Sequence, residues 1–295
     1  MNLWDCWPSP VEIIGSTAVE AMLMEAACAP APGLVDRFNS GAHQDMDFFT
    51  FIKSSSALGP AMYYCANVGW QHTGSSQELL PVLRTIGQKA EKVMFAATNG
   101  INTQKGLLFL LGIMTAAAAK SLRGGYPNSI IEVTLKEAAQ ICAGIVEREL
   151  KSLQCILPER KLTAGEQLFL NYGITGIRGE IEAGLPIVRN QGLPCLQEAL
   201  EVGLTLNDAL IHALIGIMCK AQDTTVLNRH NPSTLTEIQE TARSILQAGG
   251  MLTDMGRKRI EELDKEYARR RISPGGSADL LAIVYFLYCL QQKCN

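Results

Sequence analysis

No two of the nine cysteines stand in a C-x-x-C spacing, and their number is odd. That pattern argues against a disulfide framework and against a zinc site, and it fits reduced thiols in a cytoplasmic protein. The start, MNLWDCWPSP, lacks the basic region and apolar stretch of a secretory signal. The apolar runs from Gly106 to Ala119 and from Ala278 to Leu290 both fall short of the ~18 residues of a spanning helix, so they read as buried core helices and no membrane partner is expected. A net charge of -3 supplies no general attraction to nucleic acid, so any polyanionic ligand needs a local cluster of Arg and Lys. The phosphate-loop spacing G-x-x-x-x-G-K-[ST] is absent, and no G-x-G-x-x-G follows a strand. Alternating β-branched runs are nearly absent too. No Pro/Ser-rich or charged linker and no internal repeat divides the chain.

What is present is helical. Hydrophobic residues make up 47% of the 295 and charged residues 19%, a globular composition long enough for a sizeable core. The Ser/Thr-x-x-Glu pattern of a capping box occurs at Ser9/Glu12, Ser75/Glu78, Ser129/Glu132, Thr163/Glu166 and Thr234/Glu237. Apolar residues then recur at three- and four-residue intervals, as in Leu79, Leu80, Leu83, Ile86, Ala90 and Met94. The expectation is an all-α, single compact multi-helix domain of ten or more helices, with its active site at helix ends and connecting loops. His212, one turn after Asp208, reads as a helix-face histidine paired with that carboxylate, and Arg257 to Arg271 as an exposed, mixed-charge helix.

The chemistry gathers where helices break. The first break, Glu25 to Asp47, holds Asp36, Arg37, Asn39, His43, Asp45 and Asp47 among Pro30, Pro32, Gly33 and Gly41. Ionisable groups in an irregular loop between apolar runs need water or a ligand. Four further breaks follow: Gly100 to Gly106 with Asn102 and Lys105; Tyr172 to Gly184 with Arg178 and Glu180; Gln222 to Arg229 with Asp223; and Ile272 to Asp279 with Ser277. Lys105 at a helix start, beside free N–H groups, suits a phosphate. Together these segments offer several cations and carboxylates, the inventory for a polyphosphate, a carboxylate-bound magnesium and a proton-transfer group.

In order and separation, the blocks PGLVDRFNSGAHQDMD, GINTQKG, YGITGIRGEIEAGLP, DTTVLNR and ISPGGSADLLA resemble the triphosphoribosyl-dephospho-coenzyme A synthase family. That family serves citrate lyase and, in a related branch, malonate decarboxylase. Ala31, Gln104 and Thr225 stand where the family usually has lysine, histidine and asparagine. The resemblance implies transfer of the triphosphoribosyl group of ATP to the ribose 2'-hydroxyl of 3'-dephospho-CoA, with release of adenine. It implies Mg2+ with ATP, and a product passed to the citrate lyase acyl-carrier subunit by a separate transferase. On this reading Asp45 and Asp47 bind magnesium. Arg37, Lys105, Arg178 and Arg229 hold phosphates, with His43, Asn102, Asp223, Ser277 and Asp279 also at the substrate. Glu180 or Asp36 is the base. Two rivals stand beside it: a magnesium-dependent helical hydrolase of a nucleotide or ADP-ribosyl bond, and a non-enzymatic interaction protein.

Overall fold

The computed structural model describes residues 9–125, 129–155 and 160–294. Among them are fourteen α-helices and no strand. The centre is α4 (Lys105–Arg123), enclosed by α1 (Pro10–Ala27), α2 (Phe48–Gln71), α3 (Leu79–Ala97), α5 (Ile130–Ile141) and α14 (Gly275–Cys294). α4 is long and apolar enough to cross a membrane, yet 72% of its apolar window is packed inside the protein. Its run Ala116–Ala119 is fully buried, and α2 crosses it at Gly69, where an added Cβ would strike the Ala116 carbonyl. Small residues therefore set how closely these two helices approach. A second group packs around α10 (Leu206–Met218): α9 (Leu193–Glu201), α12 (Pro232–Gln247) and again α14. α14 joins the two groups in one continuous core.

Helix starts depart from the expected caps in instructive ways. The reciprocal bonds of a capping box form at Ser9/Glu12 and Thr163/Glu166. Ser75 and Ser129 precede helical turns without a side-chain cap, and Thr234 lies inside α12. That helix begins at Pro232 under Asn231, whose side chain accepts from the Thr234 N–H. An Asn-Pro start supplies both the cap and a residue that needs no N–H partner, so it overrides the later Thr-x-x-Glu pattern. Asp47 caps α2 through a box with Thr50. His212 departs as well: its Nδ1 accepts the Met251 N–H at 3.2 Å, and its Nε2 lies 3.7 Å from Glu198. Asp208 instead pairs with Arg257 at 2.6 Å. The mixed-charge helix is α13 (Asp254–Arg270). It buries Ile260, Leu263 and Tyr267 and ends in Arg270 bridging Glu237 and Glu266.

Candidate active site

The five breaks are stitched to one another. Gly33, with φ of +71°, tolerates no side chain because a Cβ would meet the Ile272 carbonyl. Its N–H donates to Asp264 Oδ1 at 3.1 Å, while Asn39 Nδ2 donates to the other oxygen at 3.2 Å. His43 Nε2 lies 3.0 Å from Ser273 Oγ. These contacts tie the first break to the last. Asp223 caps α11 (Thr224–Arg229) through the Thr225 and Val226 N–H groups and accepts from the Ser277 N–H and hydroxyl at 2.8 and 3.0 Å. Gly176, at the start of α8 (Gly176–Glu182), sits directly against Thr224. Gly106 sits directly against Asp279.

The segments thus close around a cavity of about 1080 Å³, at the upper end of the range for ligand sites. Its walls carry His43, Asn102, Lys105, Arg178, Glu180, Asp223, Arg229 and Asp279. Asp36, Arg37, Asp45, Asp47 and Ser277 are not among the lining residues, and each has a local reason. Asp36 is 1% exposed. Its Oδ1 accepts the Phe38 and Asn39 N–H groups at 2.7 and 2.9 Å, and its Oδ2 faces Ala31 N and Asn39 Nδ2. A carboxylate so occupied shapes the loop. Arg37 donates to the Ala27 carbonyl and Asn207 Oδ1, on the outer side. Ser277 stands behind Asp223.

The expected metal pair is not assembled. Asp47 Oδ1 is taken by the Thr50 N–H and hydroxyl at 2.8 and 2.7 Å. Asp45 is exposed, with its carboxylate 3.6 Å from His43 Nδ1. Among the described residues no three His, Cys, Asp or Glu side chains group as metal ligands. Neither aspartate lines the cavity: Asp45 is exposed beside His43 and Asp47 caps α2.

Nor are the helix starts open to phosphate. At α4 the Lys105 N–H points to Asn102 Oδ1 at 3.3 Å and the Leu107 N–H to Asp279. At α14 the Gly276 and Ser277 N–H groups go to Asp223. Carboxylates already occupy both positive dipole ends, so an anion here must be gripped by side-chain cations. Lys105 Nζ is 2.5 Å from Glu91, and Arg178 Nε is 2.9 Å from Glu149. Arg84, a wall residue not singled out from the sequence, also pairs with Glu149. Arg229 is exposed and makes no ion pair among the described residues. It stands close enough to His43 that, with burial as the larger cause, it pushes that histidine's pKa down. Lys220 is a further exposed wall cation.

The proton-transfer groups separate by environment. Glu180 is half-buried in the wall. Its Oε1 accepts the Ile187 N–H at 2.7 Å, and burial raises its pKa against that bond. Glu25, near the end of α1, is 7% exposed and also lines the cavity. Burial alone lifts it from 4.5 to about 8. Asp279 is pushed well up by burial, then by the nearby charges of Glu25 and Asp223. Of the three departures from the family blocks, Gln104 and Thr225 line the cavity and Ala31 does not.

A stability effect follows from Glu25. The folded chain keeps a proton that the unfolded chain releases above pH 4.5, so this contribution is full below 4.5 and is lost as pH rises through about 8. Glu25→Gln is expected to flatten that decline and stabilise the unliganded protein at pH 9 by about 2–4 kcal/mol. Denaturant unfolding at pH 6 and pH 9 measures it; equal pH slopes in both proteins would exclude the effect. Asp223 and Asp279 shift in the same direction and leave a residual slope.

Residues 12–295 match the family described as ATP:dephospho-CoA triphosphoribosyl transferase. The chain is 38% identical over 283 residues to a probable 2-(5''-triphosphoribosyl)-3'-dephosphocoenzyme-A synthase of Vibrio cholerae, covering 95% of this chain and 88% of the relative. A protein of the same description from Malonomonas rubra is 38% identical over 280 residues, with the same coverage of both chains. The 2-(5''-triphosphoribosyl)-3'-dephosphocoenzyme-A synthase of Klebsiella pneumoniae is 36% identical over 281 residues, covering 95% of this chain and 91% of the relative. No solved structure matches the chain. With all five loop blocks inside the matched span and closed around one cavity, the chain belongs to the ATP:dephospho-CoA triphosphoribosyl transferase family.

Proposed function

We propose that this protein transfers the triphosphoribosyl group of ATP to the ribose 2'-hydroxyl of 3'-dephospho-CoA and releases adenine. The observation that carries the reading is one cavity bounded by all five breaks and lined by both cations and carboxylates. Its volume suits two nucleotides held together, which is what a direct transfer between them requires. Lys105, Arg178 and Arg229 hold the triphosphate, joined by Arg84 and Lys220. Their grip neutralises charge without a group placed to cleave a phosphoanhydride.

Glu180 is the base. One of its oxygens is fixed by the Ile187 N–H. The other is left for the 2'-hydroxyl, and a pKa raised by burial brings the carboxylate nearer to its working range. The hydroxyl oxygen attacks C1 of ATP's ribose as the bond to adenine breaks, through an oxocarbenium-like state. Mg2+ enters with ATP as part of that substrate. The product is the precursor of the citrate lyase prosthetic group, made in the cytoplasm. The test is product formation with ATP, Mg2+ and dephospho-CoA. Free adenine is expected only when dephospho-CoA is present. Equal release with water as acceptor would identify a hydrolase instead.

A further inference from the structure

We propose that Glu25 is the proton donor to the departing base, a catalytic residue acting opposite Glu180. The proposal rests on the transferase reading above and assigns a second half of the same step. The geometry begins with isolation. Glu25 is nine-tenths buried, lines the cavity, and its carboxyl has no hydrogen-bond partner among the described residues. A carboxyl that opens on a ligand cavity without a protein partner is left to bond what fills the cavity.

A buried amide without an acceptor lines the same cavity. Gln104 is 2% exposed, and its Oε1 accepts from Ser54 Oγ at 2.8 Å and Ser55 Oγ at 3.2 Å. That fixes the amide, yet Nε2 has no acceptor. Gln104 directly precedes α4, whose Gly106 lies against Asp279, and Asp279 is in the field of Glu25. An unpaired amide donor and a carboxyl without a protein partner therefore line the same cavity. Glu25, Asp223 and Asp279 bring carboxyl groups to the same lining from α1, the α11 cap and α14. The cations Arg84, Lys105 and Arg178 come from α3, the start of α4 and α8. The triphosphate goes to the side-chain cations, and the uncharged purine, with its ring-nitrogen acceptors and exocyclic donors, matches the unpaired Glu25 carboxyl and Gln104 amide.

Burial supplies the required protonation state. A carboxyl lifted to about 8 keeps its proton at neutral pH and can donate it. Asp279 and Cys28 are the titratable groups whose fields meet Glu25, and burial raises the pKa of both. The step balances. The 2'-oxygen bonds to C1 as the C1–N9 bond breaks, and the bonding pair leaves with adenine. The hydroxyl proton passes to Glu180, the Glu25 proton passes to a ring nitrogen of adenine, and exchange with solvent restores both carboxyls.

The test compares two substrates. In 7-methyl-ATP the purine already carries a fixed positive charge and departs neutral without accepting a proton. Glu25→Gln, which mimics the uncharged acid in size, is expected to lose about 100-fold or more in turnover of ATP. With the methylated substrate it should stay within about fivefold of the wild type, because that leaving group needs no acid. Glu25→Asp, an acid with shorter reach, should recover part of the ATP activity. Equal losses on both substrates would mean a structural role and overturn the proposal, as would unchanged turnover of ATP. Wild-type adenine release, measured alongside, separates the two readings. If it is absent, the transferase reading falls and takes this proposal with it; if it is present, the variants judge Glu25 alone.

Discussion

Glu180→Gln is expected to lose adenine release by about 10²–10⁴-fold, while its fold and its affinity for ATP stay close to those of the wild type. The amide keeps the size of the side chain, and its oxygen can still accept the Ile187 N–H that fixes Oε1. What it cannot do is take a proton from a hydroxyl. Binding by calorimetry and turnover by chromatography separate the two properties. Asp36→Asn provides the contrast. Its carboxylate accepts the Phe38 and Asn39 N–H groups within the first break, so that variant should lose stability before it loses any chemical step. A Glu180→Gln protein that turns over normally would remove Glu180 as the base.

The second large effect is on nucleotide affinity. Arg229→Ala should weaken ATP binding by about 1.5–3 kcal/mol, roughly 10- to 150-fold, with no change in melting temperature. Arg229 is exposed and makes no ion pair among the described residues, so its removal strands no buried carboxylate. Arg178→Ala is a less clean experiment. Arg178 and Arg84 share Glu149, and losing one arginine changes how the other is held. Isothermal titration with ATP and Mg2+ reads the effect, and unchanged affinity in the Arg229 variant would take that residue out of the phosphate site.

Much of this arrangement was legible in the chain. Helical periodicity marked the packed helices, and the breaks between them marked the cavity walls, because Gly, Pro and short polar residues end helices in ways sequence displays. Residue type did not reveal which carboxylates face inward. Asp36 and Asp47 look like ligands in a loop rich in acids, yet one closes a turn and the other caps α2. The D-x-x-T spacing that encloses the Phe48–Phe49 pair is itself a helix-start signal, and it competes with the metal reading. Glu25 was obscured for the opposite reason. It lies in a helix, where a single glutamate among alanines and methionines looks like a solvated position, and only the fold turns it into the cavity. Arg84, on α3, was hidden in the same way. The pairing of Arg84 with Glu149 spans two helices whose contact no local pattern announces.

The same logic explains the phosphate site. A lysine at a helix start suggests binding to free N–H groups, but Asn102 and Asp279 already occupy the start of α4. The cations therefore act through their side chains, gathered from α3, α4, α8 and α11. Gathering of that kind depends on long-range contacts such as His43 with Ser273 and Asp223 with Ser277.

The central claim is that the bond between ribose and adenine breaks while the triphosphate stays whole. Resolving by mass the coenzyme product formed from ATP, Mg2+ and 3'-dephospho-CoA tests it most directly. The account predicts a derivative heavier by one triphosphoribosyl unit, together with an equal amount of free adenine. ADP or inorganic phosphate appearing in step with substrate loss, over a coenzyme of unchanged mass, would contradict it.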